Sequence, residues 1–527
     1  MPGQTVNADK LDSLLEGYDT KARLFLVDGF RNGFRIPYSG ERLFRMAHNH
    51  KSCRENYVAF KNQLNTEISE GRVFGPFLLP PFDNLICSPL ALIPKKEPNS
   101  FRLIHDLSFP EGNSINDGIS REHTTVTYDT IDTVIALVKQ VGRHALMAKT
   151  DILSAFRQVP IHPVDFELLG FTLINDNGQI EYYFDTRLAQ GLNISCQLFE
   201  KISTALQWIM ENKYGAKMSH LIDDFFFISP ANSTNCYDSL ALFIDMCASL
   251  NIPIKYEKTV LPTTCLTIYG IEIDSSLMFS RLPDDKVVKI RGLLTDFKCK
   301  KKVSLRDLQS LIGLLNFATQ VVVPGRTFLR RLIDLTIGVK KPFYMIRLNN
   351  DARADLAAWY EFMNDFNGKS LFLSDDWVSS DTISLYSDAA STKGFAAVFG
   401  SKWFAQSWPS DMDTLHINVM ELFPIVLAVE IWGVKMANHK LLILTDNTCT
   451  KDVVNKMSSK CSLTMRLLRR LVLAGLKYNI VLRAKHISGK SNLVADKLSR
   501  FEFQNARRWA PWLDYQSSPI PVNLLRV

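Results

Sequence analysis

Between residues 75 and 120 apolar positions follow no sustained helical period. Proline and glycine recur every few residues ("GPFLLPPFDN", "KKEPNS", "FPEGNSINDG"), which predicts strands and loops. A helical spacing then appears in "TYDTIDTVIALVKQVG" (127–142), and "HALMAKTDILSAF" (144–156) reads as a strand ending in a turn. A hairpin is predicted around "NDNGQ" (175–179), a helix over 195–215, a strand in "SHLIDDFFFISP" (219–230) and a helix in "DSLALFIDMCASLNI" (238–252). No repeat of fixed period occurs, so a solenoid is excluded. The mixed order of strands and helices predicts an α+β architecture rather than a regularly wound sheet.

From about 281 to 365 the pattern turns mostly helical, and Ser304 with Asp307 in "SLRDLQSLIGLLNFATQV" is a variant capping box. The stretch "NGKSLFLSDDWVSSD" (367–381) reads as a linker. A separate α/β unit follows, with strands in "ISLYSDAA", "GFAAVFG" and "KWFAQSWP", a helix over 420–436, a strand in "KLLILTDN", a helix over 460–475, a strand in "NIVLRAKH" and a helix over 491–499. Pro424 is tolerated in a first helical turn, so that helix is expected to start no earlier than about 420. The chain is expected to divide into an N-terminal extension (1–60), a mixed region of strands and helices (61–280), a helical region (281–380), the α/β unit (381–500) and a tail (501–527).

At 527 residues the chain is too long for one ordinary core and is multidomain. Its 46% hydrophobic and 22% charged residues describe a globular protein. No apolar run reaches roughly 18 residues without a charge or proline. The N-terminus lacks a basic leader and apolar core. A soluble, intracellular protein of cytoplasm or nucleus is therefore expected, neither secreted nor membrane-bound. Nine cysteines without a C-x-x-C pair argue against a zinc module and against a disulfide framework. The net charge of +7, with the basic clusters "KCKKK" (298–302), "RTFLRR" (326–331) and "RLLRR" (466–470), favours a polyanionic substrate.

The candidate chemistry begins with Asp223 and Asp224, two carboxylates in an otherwise apolar run. An unpaired buried carboxylate costs several kcal/mol, so either a cation compensates the charge or the pair is the polar tip of a hairpin. A second acid, Asp151 in "KTDILSAFRQVPI", also ends an apolar strand. One aspartate on a strand near a hairpin carrying two is what a two-metal phosphoryl-transfer site requires, and carboxylates are the hard ligands that Mg²⁺ prefers.

The stretches "GFRIPYSG", "FGPFLLPPFDNLICSPLALIPKKEP", "FRLIHDLSFPEGNSINDGI", "DILSAFRQVPI", "LAQGLNISCQLFEKI", "LIDDFFFI" and "YGIEID" follow one another in a familiar order. Over about 28–500 the chain resembles the reverse transcriptases, and among them those of DIRS-type tyrosine-recombinase retrotransposons. The resemblance implies a right-hand polymerase, with fingers and palm over 61–280 and a thumb or connection over 281–380. It makes Asp151 and Asp223 the ligands of two Mg²⁺ ions, with Mn²⁺ as a substitute, and Asp224 the third carboxylate. Lys95 and Arg102, otherwise ordinary exposed cations, would hold the phosphates of the incoming dNTP. Gln190 and Gly191 would line the nucleotide and template pocket rather than form a simple turn. Lys258 would protonate the departing pyrophosphate, and Tyr269 with Gly270 would begin the element gripping the primer. Phe156 would exclude a 2′-hydroxyl, the alternative being one more core aromatic. Where the family usually has an aromatic two positions before the aspartate pair, this chain has Leu221.

The unit after 381 resembles ribonuclease H, with Asp388, Glu421, Asp446 and Asp496 as ligands of a second pair of Mg²⁺ ions and His486 as a mobile histidine. The implied partners are an RNA template, a DNA primer and an RNA–DNA hybrid, whose backbone would be read rather than its sequence. No D-[ST]-G protease motif occurs, and any recombinase of such an element is expected on another chain. A decayed copy that only binds nucleic acid is the competing expectation. Decay would remove some of the seven acids, and all seven are present.

Overall fold

The computed structural model describes residues 6–95, 100–175, 177–365, 370–371, 377–379, 385–410, 412, 415–459 and 461–526, with 323–324, 365, 370–371 and 377–379 described by backbone alone. The chain is mixed α+β and folds as two compact units, Met1–Tyr269 and Gly270–Val527.

The centre of the first unit is an antiparallel sheet. Helix α1 (Tyr57–Ser69) and strand β1 (Val73–Phe77) precede a hairpin of β2 (Leu90–Pro94) and β3 (Phe101–His105). Helix α2 (Ile131–Val141) leads into β4 (Leu146–Asp151), and β5 (Gly170–Ile174) and β6 (Ile180–Asp185) form the hairpin expected around "NDNGQ". Helix α3 (Ser195–Tyr214), ended by Gly215 in the left-handed region, is followed by β7 (Met218–Leu221), β8 (Asp224–Ser229), α4 (Asn235–Ser249) and β9 (Val260–Thr263). The sheet order is β9–β4–β8–β7. Strand β8 explains why the chain carries "DFFF" here: Phe225, Phe226 and Phe227 are all fully buried, because both faces of this central strand are covered. Phe225 and Phe227 pack on Phe243 of α4 with ring centroids 4.5 and 5.4 Å apart. A second sheet joins β1, β6 and β5, while β2 and β3 pair only with each other.

The second unit opens with a hairpin of β10 (Ile271–Asp274) and β11 (Phe279–Arg281). Helices α5 (Asp284–Cys299), α6 (Leu305–Ala318) and α7 (Asn350–Asp365) follow, and the Ser304 hydroxyl accepts from the Asp307 amide at 3.1 Å, as the cap predicts. The linker proposed over 367–381 lies outside the described residues apart from the short strands Ser370–Leu371 and Trp377–Ser379. Strands β12 (Leu385–Ala390), β13 (Gly394–Phe399) and β14 (Lys402–Ser407) form an antiparallel sheet. Next come α8 (Ile417–Trp432), β15 (Lys440–Thr445), α9 (Thr448–Lys456), α10 (Ser462–Lys477), β16 (Val481–His486), α11 (Leu493–Ser499) and α12 (Phe503–Trp509), with β15 and β16 parallel.

Helix α8 departs from the sequence reading in two details. Helix α8 begins at Ile417, capped by His416, and Pro424 lies in its interior rather than its first turn. The lost hydrogen bond is outweighed by burial, since residues 422–429 are buried all round and anchor the core of this unit. By length and hydropathy 417–436 is also long and apolar enough to cross a bilayer, yet here two-thirds of it is buried inside the protein. In the tail, α12 packs against Trp403, and the amides of Asp514 and Ser518 donate to the carbonyls of Ser401 and Trp403.

Candidate active sites

The pair Asp223 and Asp224 sits where β7 turns into β8. Ile222 and Asp223 form the two-residue turn, so the polar hairpin tip and the acidic site are one feature. Asp224 is the first residue of β8 and stands opposite both Leu221 and Asp151 in the two ladders. Three carboxylates thus converge from two adjacent strands. Asp151 is buried and meets the Lys258 ammonium at 2.5 Å.

The electrostatics follow from that crowding. Burial, and then the Asp151 charge, raise the pKa of Asp223. The same two causes, with a hydrogen bond to Asp151, push Asp224 up to about 7. Burial opposes the Lys258 ammonium, but its bond to Asp151 together with the charges of Asp151, Asp224 and Asp223 outweighs that and raises its pKa. A group of hard oxygen donors whose mutual repulsion is only partly relieved by one lysine fits divalent cations such as Mg²⁺.

A cavity of about 870 Å³ opens on these acids. Lys95 and Arg102 line it from the β2–β3 hairpin, and Phe156, Gln190, Gly191 and Lys258 from the segments around β4, β6 and β9. Gly191 has φ 126°, and a Cβ there would lie 2.0 Å from the His105 carbonyl oxygen, so the chain approaches the end of β3 too closely for any side chain. Phe156 borders the cavity while its ring meets Phe199 of α3 edge-on at 5.9 Å. Beside it Arg157 bridges Glu67 of α1 at 2.8 Å and Asp185 of β6 at 2.7 Å, a buried brace that the sequence reading missed because its members lie far apart in the chain. Tyr269 does not line the cavity. Its phenol is 3.0 Å from the Ser219 hydroxyl, and Gly270 begins the second unit.

The second unit holds its own acidic cluster. Asp388 on β12, Glu421 in α8 and Asp446 just after β15 bring carboxylate oxygens within 4.8 Å of one another. Burial and the other two charges raise Glu421 to about 8. Burial likewise lifts Asp388 to about 6, against a hydrogen bond from the Ser499 hydroxyl at 2.5 Å. Asp496 on α11 is not one of the three. It pairs with Arg500 at 2.6 Å and acts on Asp388 as a nearby charge. The exposed His486 ring lies 3.1 Å from the Asp446 carbonyl. Ser499 and Arg500 escaped the sequence reading, although both follow Asp496 within one helical turn and so share its face.

No curated protein matches the chain in sequence. Among solved structures, the foamy viral protease-reverse transcriptase dRH in complex with double-stranded DNA aligns over 92% of this chain and 83% of its own, with TM-score 0.48 and 13% identity. The foamy viral protease-reverse transcriptase with double-stranded DNA gives 0.47 and 13%, over 92% and 98% of the two chains. The same protein with an RNA/DNA hybrid gives 0.48 and 15%, over 92% and 64%. Residues 93–273, which carry Arg102, Asp151, Phe156, Asp223, Asp224 and Lys258, match the family of reverse transcriptases (RNA-dependent DNA polymerases), and this part of the chain is a reverse transcriptase domain.

Proposed function

We propose that the chain is an RNA-directed DNA polymerase, built as a right hand and derived from a DIRS-type retrotransposon. One observation carries this: nine residues singled out from the sequence, the three acids with Lys95, Arg102, Phe156, Gln190, Gly191 and Lys258, line a single cavity inside the matched domain. When bound at these carboxylates, Mg²⁺ supplies activation of the primer 3′-hydroxyl and neutralises charge on the triphosphate. The protein's own part is placement. Asp151 and Asp224 present their carboxylates from adjacent strands, and Lys95 and Arg102 offer cations to the phosphates from a hairpin. Lys258 contributes a further positive charge beside Asp151. Phe156, braced against Phe199 at the cavity, would lie under the nucleotide sugar. Extension of a DNA primer on an RNA template by the purified chain with Mg²⁺ and dNTPs tests the proposal. Binding of primer–template without extension would instead favour the nucleic-acid-binding copy.

The convergence of Asp388, Glu421 and Asp446 supports a second activity, ribonuclease H cleavage of the RNA strand of the hybrid, also with Mg²⁺. His486, exposed beside Asp446, is placed to exchange protons at that site. No disulfide joins the nine cysteines, all of which lie among the described residues, and this suits a reducing intracellular location.

A further inference from the structure

The turn that delivers Asp223 and Asp224 contains a residue in an unfavourable conformation. Ile222 has φ 56°, in the left-handed region where a β-branched side chain is out of place, so the surrounding structure must hold it there. One helix does so at both polar groups of that residue. The Ile222 amide donates to Glu200 Oε2 at 3.1 Å, and its carbonyl accepts from the Ser203 hydroxyl. Glu200 is only 7% exposed. Its other oxygen lies 3.1 Å from His220 Nε2, and His220 Nδ1 lies 2.5 Å from Gln207 Oε1. Glu200, Ser203 and Gln207 follow one another at spacings of three and four on α3, so they share one face. His220 stands opposite Phe225 in the β7–β8 ladder, and the two rings stack at 5.8 Å. The clamp therefore grips the hairpin at His220 and Ile222, immediately before the aspartate pair.

We infer that Glu200 is a positioning residue for the metal-binding carboxylates: by fixing the Ile222 peptide it aims Asp223 and Asp224 toward Asp151. This rests on the reading of that cavity as a divalent-cation polymerase site. Glu200 bonds to Ile222 and His220 rather than to the acids themselves. It acts through the backbone of the turn.

The test is binding of Mn²⁺, a paramagnetic probe, to the full-length chain carrying Asp388→Asn and Asp446→Asn, so that the second acidic cluster is silenced. Electron paramagnetic resonance of the free ion is recorded with hybrid bound, and Asp223→Asn sets the background. Glu200→Ala is expected to weaken Mn²⁺ binding by about tenfold or more, the range typical when a partner that orients a ligand is removed. Glu200→Gln keeps an oxygen that accepts from the Ile222 amide, so it should bind Mn²⁺ within about twofold of the parent. A folded Glu200→Ala chain with parental Mn²⁺ affinity, or a Glu200→Gln chain as impaired as Glu200→Ala, would overturn the inference. Should Glu200→Ala fail to fold, Ser203→Ala removes the other half of the clamp, and unchanged affinity there overturns the inference equally. Primer extension by the chain with its native acids separates the two claims. A chain that binds Mn²⁺ in this Glu200-dependent way yet extends no primer refutes the polymerase reading and leaves the positioning role standing.

Discussion

Asp224 faces Asp151 directly across the antiparallel ladder of β8 and β4, the last pair before the strands part at the cavity. Burial, and then the charge of Asp151 across the ladder, raise the pKa of Asp224. Removing one charge from the group should therefore abolish chemistry without harming the fold. Asp223→Asn is expected to eliminate primer extension while melting temperature and hybrid affinity stay close to those of the parent. Extension within tenfold of the parent would remove Asp223 from the site.

In the second unit, Asp446→Asn is expected to stop RNA cleavage in a hybrid and to spare DNA synthesis, because its cluster is assembled entirely from β12, α8 and β15. Parallel assays on one labelled hybrid decide it. Loss of both activities together would mean that the two sites do not work independently.

Phe156→Val should relax sugar selection. The ring is held by Phe199 and borders the cavity, so trimming it opens space for a 2′-hydroxyl. Ribonucleotide incorporation relative to deoxyribonucleotide is expected to rise at least tenfold, equivalent to about 1.4 kcal/mol of lost steric discrimination. Single-turnover competition between the two nucleotides measures the ratio, and an unchanged ratio in a stable, active variant returns Phe156 to the core.

Glu421 sets a pH dependence of stability. Its ordinary pKa of 4.5 rises to about 8 in the fold, so the folded state favours the protonated form. That contribution is fully present below about pH 4.5 and is lost as pH climbs through 8. In metal-free buffer Glu421→Gln should therefore raise the melting temperature at pH 8 and change it little at pH 4.5. An equal gain at both values would show that the carboxylate charge is not the cause.

Gly191→Ala should destabilise the first unit by more than about 1 kcal/mol, because the added Cβ meets the His105 carbonyl as well as an unfavourable φ. Gly178→Ala is the control: its φ is 77°, but nothing lies within 4 Å. Equal melting shifts for the two variants would show that the close approach carries no cost.

How much of this was legible in the sequence differs from residue to residue. Asp151, Asp223 and Asp224 announce themselves, since a carboxylate ending an apolar strand breaks a local rule. Lys95, Arg102 and Gln190 break none, and only motif order pointed to them. Helix α9 gives no clear apolar period, since Val453 and Val454 are its main apolar contribution, although the Asn447 side chain caps it by accepting from the Thr450 amide at 2.8 Å. Pro424 would end an isolated helix near its own position, but α8 is held by packing on every side and starts at Ile417. Glu200 left no local trace, since its partner Ile222 lies on a different element and the contact exists only in the folded chain.

The three buried phenylalanines of β8 bear on how such a site tolerates change. A strand slipped by one position would turn Asp224 away from Asp151 and carry every ring to the opposite face. Phe225 and Phe227 fill one side and Phe226 the other, so a slip would force differently shaped pockets to exchange occupants. The alignment of the acids is thus guarded by side chains that have no chemistry of their own. Substitutions that reshape Phe225, Phe226 or Phe227 can silence the site as thoroughly as loss of an aspartate, and a search for damaging changes confined to ionisable residues would overlook them.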